Sequence, residues 1–110
     1  MFEEGKSHFK YPTKLLYLTT EKVPELDWPL LFSVSVPKRK FKSAVDRNLI
    51  KRRVREAYRL NKLDLQAILL DDDNKVLFLM FIYLGKDIED YDIVERSITH
   101  HLAYLKDEIA

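Results

Sequence analysis

At 110 residues, 46% hydrophobic and 34% charged, with no cysteine, the chain is expected to form one compact domain whose core stands without disulfides, in a reducing compartment for which the cytoplasm is the default. Its longest apolar run, Val76 to Leu84, has nine residues against the roughly 20 of a membrane-spanning helix, and the opening MFEEGKSHFK lacks a signal-peptide core, so a soluble, untargeted protein is expected. The net charge of +1 conceals a segregation: Lys38 to Lys62 hold eleven Lys or Arg against two acids, net +9, and the other 85 residues hold eight against sixteen, net −8, which makes the chain a basic element set in an acidic body.

Lys14 to Thr19 reads as a strand, and Leu31 to Val36 as a second in which Phe32, Val34 and Val36 alternate with Leu31, Ser33 and Ser35. Between them EKVPELDWPL, with two prolines and several acids, reads as a loop joining neighbouring antiparallel strands. Ser43 stands three residues before Asp46, a capping-box-like start for a helix over Ala44 to Leu60, ending near Asn61. A shorter helical piece falls at Leu63 to Leu70. The run Asp71, Asp72, Asp73 is a turn, and Val76 to Leu84, apolar at both parities, is a central strand. A last helix over Tyr91 to Lys106 carries Val94, Ile98, Leu102 and Leu105 on one face. These elements predict an α+β domain: a sandwich of a mixed β-sheet of three to four strands with helices packed on it.

At about 100° per residue, Ile50, Val54, Ala57 and Tyr58 share one sector of the first helix, and Asn48, Lys51, Arg52, Arg55 and Arg59 share another. Arg47 and Arg53 flank the apolar side, where their stems can run along apolar surface. Like charges along one stripe without interleaved acids repel each other unless a polyanion lies opposite, so the pattern points to nucleic acid rather than to an ordinary solvated face. Asn48 fits that reading, because its amide can both donate and accept at a 2′-hydroxyl or phosphate. Lys38, Arg39, Lys40 and Lys42 extend the patch past the helix N-terminus, itself able to hold a phosphate.

The stretch VSVPKRKFKSAVDRNLIKRRVREAYRLNK resembles the signature of the bacterial ribonuclease P protein family: a strand ending in Val-Ser-Val, a basic loop, then Ala-Val-x-Arg-Asn-x-x-Lys-Arg-x-x-Arg on a helix. Ala44, Val45, Arg47, Asn48, Lys51, Arg52 and Arg55 stand at the family's spacing. FEEGKS, KLLYL and FIYLGK are similar to other parts of the family, so the resemblance covers nearly the whole chain. It implies a left-handed βαβ crossover, which periodicity cannot show and the general preference opposes. It also implies a non-catalytic subunit that joins a catalytic RNA to remove the 5′ leader from precursor transfer RNA. Mg²⁺ is then bound mainly by the RNA and not by the protein, and neither a membrane nor a protein partner is implied. By the same resemblance the basic helix faces the catalytic RNA, and Phe2 and Tyr17 line a sheet cleft that takes the leader, since aromatic rings stack unpaired bases of any identity. Phe32, Phe78 and Phe81 are left to the core. The family usually has a further helix before its Phe-x-x-Gly element, so a single domain over 1–110 lacking most of that helix is expected. Leu49 and Asp46 stand where the family is often basic, which thins the patch.

Other candidates carry less. His100 and His101 point about 100° apart on a helix and cannot share a metal as an i, i+4 pair can, and they are expected to be surface or partly buried histidines. The Asp71–Asp73 run lacks a second acidic motif or a partner base. Ser33 and Ser35 have no histidine in a recognisable triad order. The rival readings are a helical DNA-binding module, which would want a second helix across a short turn, and a self-sufficient metal-dependent nuclease, which would cleave without RNA.

Overall fold

The computed structural model describes residues 6–21, 30–71 and 75–109. In chain order the elements are β1 (Lys6–Lys10), β2 (Thr13–Glu21), β3 (Leu30–Ser35), α1 (Ala44–Asn61), α2 (Leu63–Asp71), β4 (Lys75–Tyr83) and α3 (Tyr91–Ile109). The strands form one four-stranded sheet in the order β1-β2-β4-β3. β1 runs antiparallel to β2, β2 antiparallel to β4, and β3 parallel to β4. This is the expected mixed α+β architecture, with β3, α1, α2 and β4 forming the crossover between parallel strands.

One expectation is corrected and one strand is added. The strands at 14–19 and 31–36 are not neighbours, because β4 lies between them. β4 is apolar at successive positions and can bury both faces, so it takes the centre of the sheet and pairs on both flanks. The added strand is β1, the fourth of an expected three to four. Lys-Ser-His-Phe-Lys has no apolar alternation to announce a strand; it becomes one by pairing with β2, from Lys6 opposite Tyr17 to Lys10 opposite Thr13.

The sheet period of two sorts residues between its faces. Leu15, Tyr17, Leu77, Leu79, Phe81 and Tyr83 are buried in a cluster with Ile50, Val54, Ala57 and Tyr58 of α1 and Val94, Ile98, Leu102 and Leu105 of α3. Both helices therefore bury the stripes that their periodicity predicts. Phe32 joins this core, its ring stacked on Tyr58 with centroids 4.1 Å apart and planes at 3°. α2 adds Leu65 and Leu69. The opposite face takes the alternate residues: Phe9 opposite Lys14, Lys14 opposite Ile82, Leu16 opposite Met80 and Leu18 opposite Phe78. Phe78 therefore lies on this face, half-buried, and not in the helix-covered core where its apolar surroundings in sequence would put it.

Candidate nucleic-acid interface

α1 begins as its sequence dictates. Ser43 is the N-cap, with extended backbone, and its hydroxyl accepts from the Asp46 N–H at 3.4 Å. At the other end Asn61 Nδ2 donates to the Ala57 carbonyl at 2.7 Å, and the Lys62 ammonium lies 5.8 Å from the Tyr58 ring centroid. With Ile50 and Val54 facing inward, Asn48, Arg52, Arg55 and Arg59 are exposed and Lys51 is half-buried. The stripe read from periodicity is thus on the surface. Its last member is partly neutralised: Arg59 pairs with Glu56 through both a bridging Nη2 and an Nε bond. That pairing holds the Glu56 carboxyl below the usual carboxylate range and raises Arg59.

The basic loop is built rather than loose. The Lys40 and Phe41 N–H groups both donate to the Pro37 carbonyl, at 3.3 and 3.2 Å. Phe41 is buried, its ring edge-on to Tyr83 at 5.7 Å. Arg47 Nη1 donates to the Phe41 and Lys42 carbonyls at 2.8 and 2.9 Å, and Lys40 Nζ donates to the Leu84 carbonyl at 3.0 Å. Lys38, Arg39 and Lys42 remain exposed beside the first turn of α1. The positive end of the helix dipole and these side chains therefore act on one region. Arg53, which periodicity sets beside the apolar side, is tied inward: its Nη1 donates to the Glu89 carbonyl, fastening α1 to the loop before α3.

Tyr17 is not a stacking platform. It lies on the face covered by α3, 4% exposed, with its hydroxyl 3.1 Å from that of Tyr104, and burial with that bond raises its pKa. Which parity of KLLYLT faces the helices is decided by packing, and the strand is apolar at both. Phe2 lies outside the described residues. On the opposite face stands an aromatic that sequence reasoning passed over: Phe9, 56% exposed, beside Lys14. The only signal for it was a lone aromatic among lysines in a segment that did not read as a strand.

His101 is corrected from surface or partly buried to fully buried, with its ring nitrogens bonded to His8 and Thr13; its neighbour His100 is exposed. Asp71 ends α2, and Asp72 and Asp73 lie outside the described residues. Among the described residues no three His, Cys, Asp or Glu side chains converge to hold a metal ion, and no helix is long and apolar enough to cross a membrane.

The sequence profile of the family described as Ribonuclease P matches residues 1–105. The ribonuclease P protein components of two strains of Porphyromonas gingivalis are each 35% identical to the chain over 102 residues, covering 93% of it and 72% of the relative. Two structures of the Staphylococcus aureus RNase P protein share the fold. One, a mutant with defective mRNA degradation activity, superposes with a TM-score of 0.67 at 23% identity, over 96% of this chain and 78% of its own. The other gives 0.65 at 21%, over 99% and 87%.

Proposed function

The chain belongs to the ribonuclease P protein family, which works in transfer-RNA processing as part of a ribonucleoprotein endoribonuclease, and from that premise we propose that α1 and the loop before it bind the RNA subunit. The observation that carries this reading is the exposed run of Lys38, Arg39, Lys42, Asn48, Arg52 and Arg55, which the fold leaves facing outward on one element and the loop that caps it. Bringing a polyphosphate against it releases counterions from the RNA and relieves the repulsion among the cations. Asn48 adds a group that can address a 2′-hydroxyl.

The protein's part in catalysis is then positioning and charge screening, with no acid, base or nucleophile of its own. Lys and Arg gather RNA phosphates at lower Mg²⁺ concentrations than the RNA alone needs, and the Mg²⁺ is held mainly by the RNA. The 5′ leader of precursor transfer RNA is assigned to the sheet face opposite the helices, with Phe9 as the ring available for stacking and Lys14 as its cation, in place of Tyr17.

The test is reconstitution. The purified protein, a bacterial ribonuclease P RNA and labelled precursor transfer RNA are titrated with Mg²⁺. The expected result is release of the 5′ leader at lower Mg²⁺ with the protein than without it, and no specific cleavage by protein alone. Cleavage without RNA would overturn the reading in favour of a self-sufficient nuclease.

A further inference from the structure

Arg47 differs from the other cations of α1. Both hydrogens of its Nη1 are engaged, with the Phe41 and Lys42 carbonyls, which belong to the two residues that join the basic turn to the Ser43 N-cap. The side chain is half-buried and lies outside the sector that holds Asn48, Lys51, Arg52 and Arg55. The loop is held at its other side by the Lys40 bond to Leu84 and by the buried Phe41 ring. Lys38 and Arg39 stand within the turn that the Lys40 and Phe41 N–H bonds to the Pro37 carbonyl close, Lys42 is the residue whose carbonyl Arg47 holds, and all three side chains are exposed.

We propose that Arg47 is a positioning residue for RNA binding: its guanidinium fixes the path of residues 37–43 so that Lys38, Arg39 and Lys42 continue the cationic stripe of α1. Arg47 acts through those three side chains and not through a phosphate of its own. The proposal rests on the reading of this face as the RNA-binding surface. Its physical basis is preorganisation, since a loop already fixed in its bound path does not lose conformational freedom when the RNA docks. An arginine suits this place because its longer side chain holds both Nη1 hydrogens in a fixed plane at the two carbonyls, whereas a lysine, although its ammonium has three hydrogens, is shorter and must draw the loop inward to reach them.

The experiment is a double-mutant cycle on affinity for the ribonuclease P RNA. It uses Arg47→Lys, the loop variant Lys38→Gln/Arg39→Gln/Lys42→Gln, their combination, and Arg52→Ala alone and in the loop-variant background. Arg47→Lys keeps the charge, yet it is expected to weaken binding about fivefold in the native loop and by less than about twofold in the loop-variant background, because its effect needs the loop cations. Arg52→Ala is expected to cost the same factor in both backgrounds. Amide hydrogen exchange of residues 38–43 in the free protein should rise in Arg47→Lys, with exchange in the core of α1 and β4 unaltered, which separates a moved loop from a weakened fold. Wild-type affinity for Arg47→Lys, or a loss carried in full into the loop-variant background, would overturn the proposal. If Arg52→Ala and the loop variant both bind like wild type, the RNA-binding reading itself fails and the proposal goes with it.

Discussion

The His8 and His101 rings meet Nδ1 to Nδ1 at 2.8 Å, and the bonds beyond them fix the direction of each proton in the run. Ser97 Oγ donates to the Lys10 carbonyl at 2.6 Å, so Thr13 Oγ1, 2.7 Å away, must donate to Ser97. His101 Nε2 must then donate to Thr13, and neutral His101 accepts from His8 at Nδ1. These bonds join the β1–β2 hairpin to α3 with no proton to spare. Burial, with His8 beside it, lowers the His101 pKa from 6.5 to about 4, and His8 is lowered by burial and by His100.

A pH dependence follows from that pair. Above pH 6.5 His101 is neutral in folded and unfolded chains, and its contribution to stability is complete. As pH falls from 6.5 toward 4 the unfolded chain binds a proton that the folded chain refuses, so stability is lost; the loss at His101 reaches about 3 kcal/mol near the lower limit and levels off below it. Urea unfolding across this range should show the decline, and His101→Gln should flatten it. An equal decline in the variant would assign the acid lability to other groups.

Reversing charge at Arg52 and Arg55 together is expected to weaken binding to the RNA subunit and to lower the log–log salt slope by about 0.7 to 0.9 for each phosphate that the variant leaves unneutralised. Both side chains are exposed, so the melting temperature should move little. An unchanged slope in a folded variant would take the RNA-binding surface off this face.

Phe9 and Tyr17 should separate leader binding from core packing. Phe9→Ala is expected to reduce affinity for precursor transfer RNA, with a stacked base worth roughly 1 to 3 kcal/mol, and to leave mature transfer RNA binding and thermal stability alone. Tyr17→Ala instead opens a cavity on the covered face and should destabilise the fold by about 3 to 5 kcal/mol, while Tyr17→Phe keeps leader discrimination intact. Equal losses for both RNAs in Phe9→Ala would remove that ring from the leader site.

A side chain at Gly85 is predicted to destabilise the fold. A Cβ there would lie 3.0 Å from the Tyr83 ring and hydroxyl and 3.1 Å from Pro12 Cβ. The Tyr83 ring cannot swing away, because its hydroxyl donates to the Asp87 carbonyl at 2.7 Å and accepts from the Glu89 N–H at 3.0 Å. Gly85→Ala should therefore cost about 1 to 3 kcal/mol, read as a lower midpoint in thermal or urea unfolding. A midpoint equal to wild type would show that the loop can shift at no cost.

The helices were legible from sequence because their determinants are local. Ser43 and Asp46 mark where α1 starts, and the spacing of Ile50, Val54, Ala57 and Tyr58 assigns its buried face. The same rotation assigns Asn48, Arg52 and Arg55 to the surface. The spacing of Val94, Ile98, Leu102 and Leu105 does the same for α3. The sheet was not legible in this way. β2 and β4 are apolar at both parities, so which of Tyr17 and Leu16, or Phe78 and Leu79, meets the helices depends on where α1 and α3 dock, and one residue of register exchanges the two sets. β1 has almost no pattern of its own and exists through β2 and through the bond that His8 makes to His101, 93 positions away. For the same reason Arg47 reads in sequence only as a cation flanking the apolar side of α1. Its work as a loop clamp depends on two backbone carbonyls, and the sequence names the residues that carry them without saying where the chain will bring them.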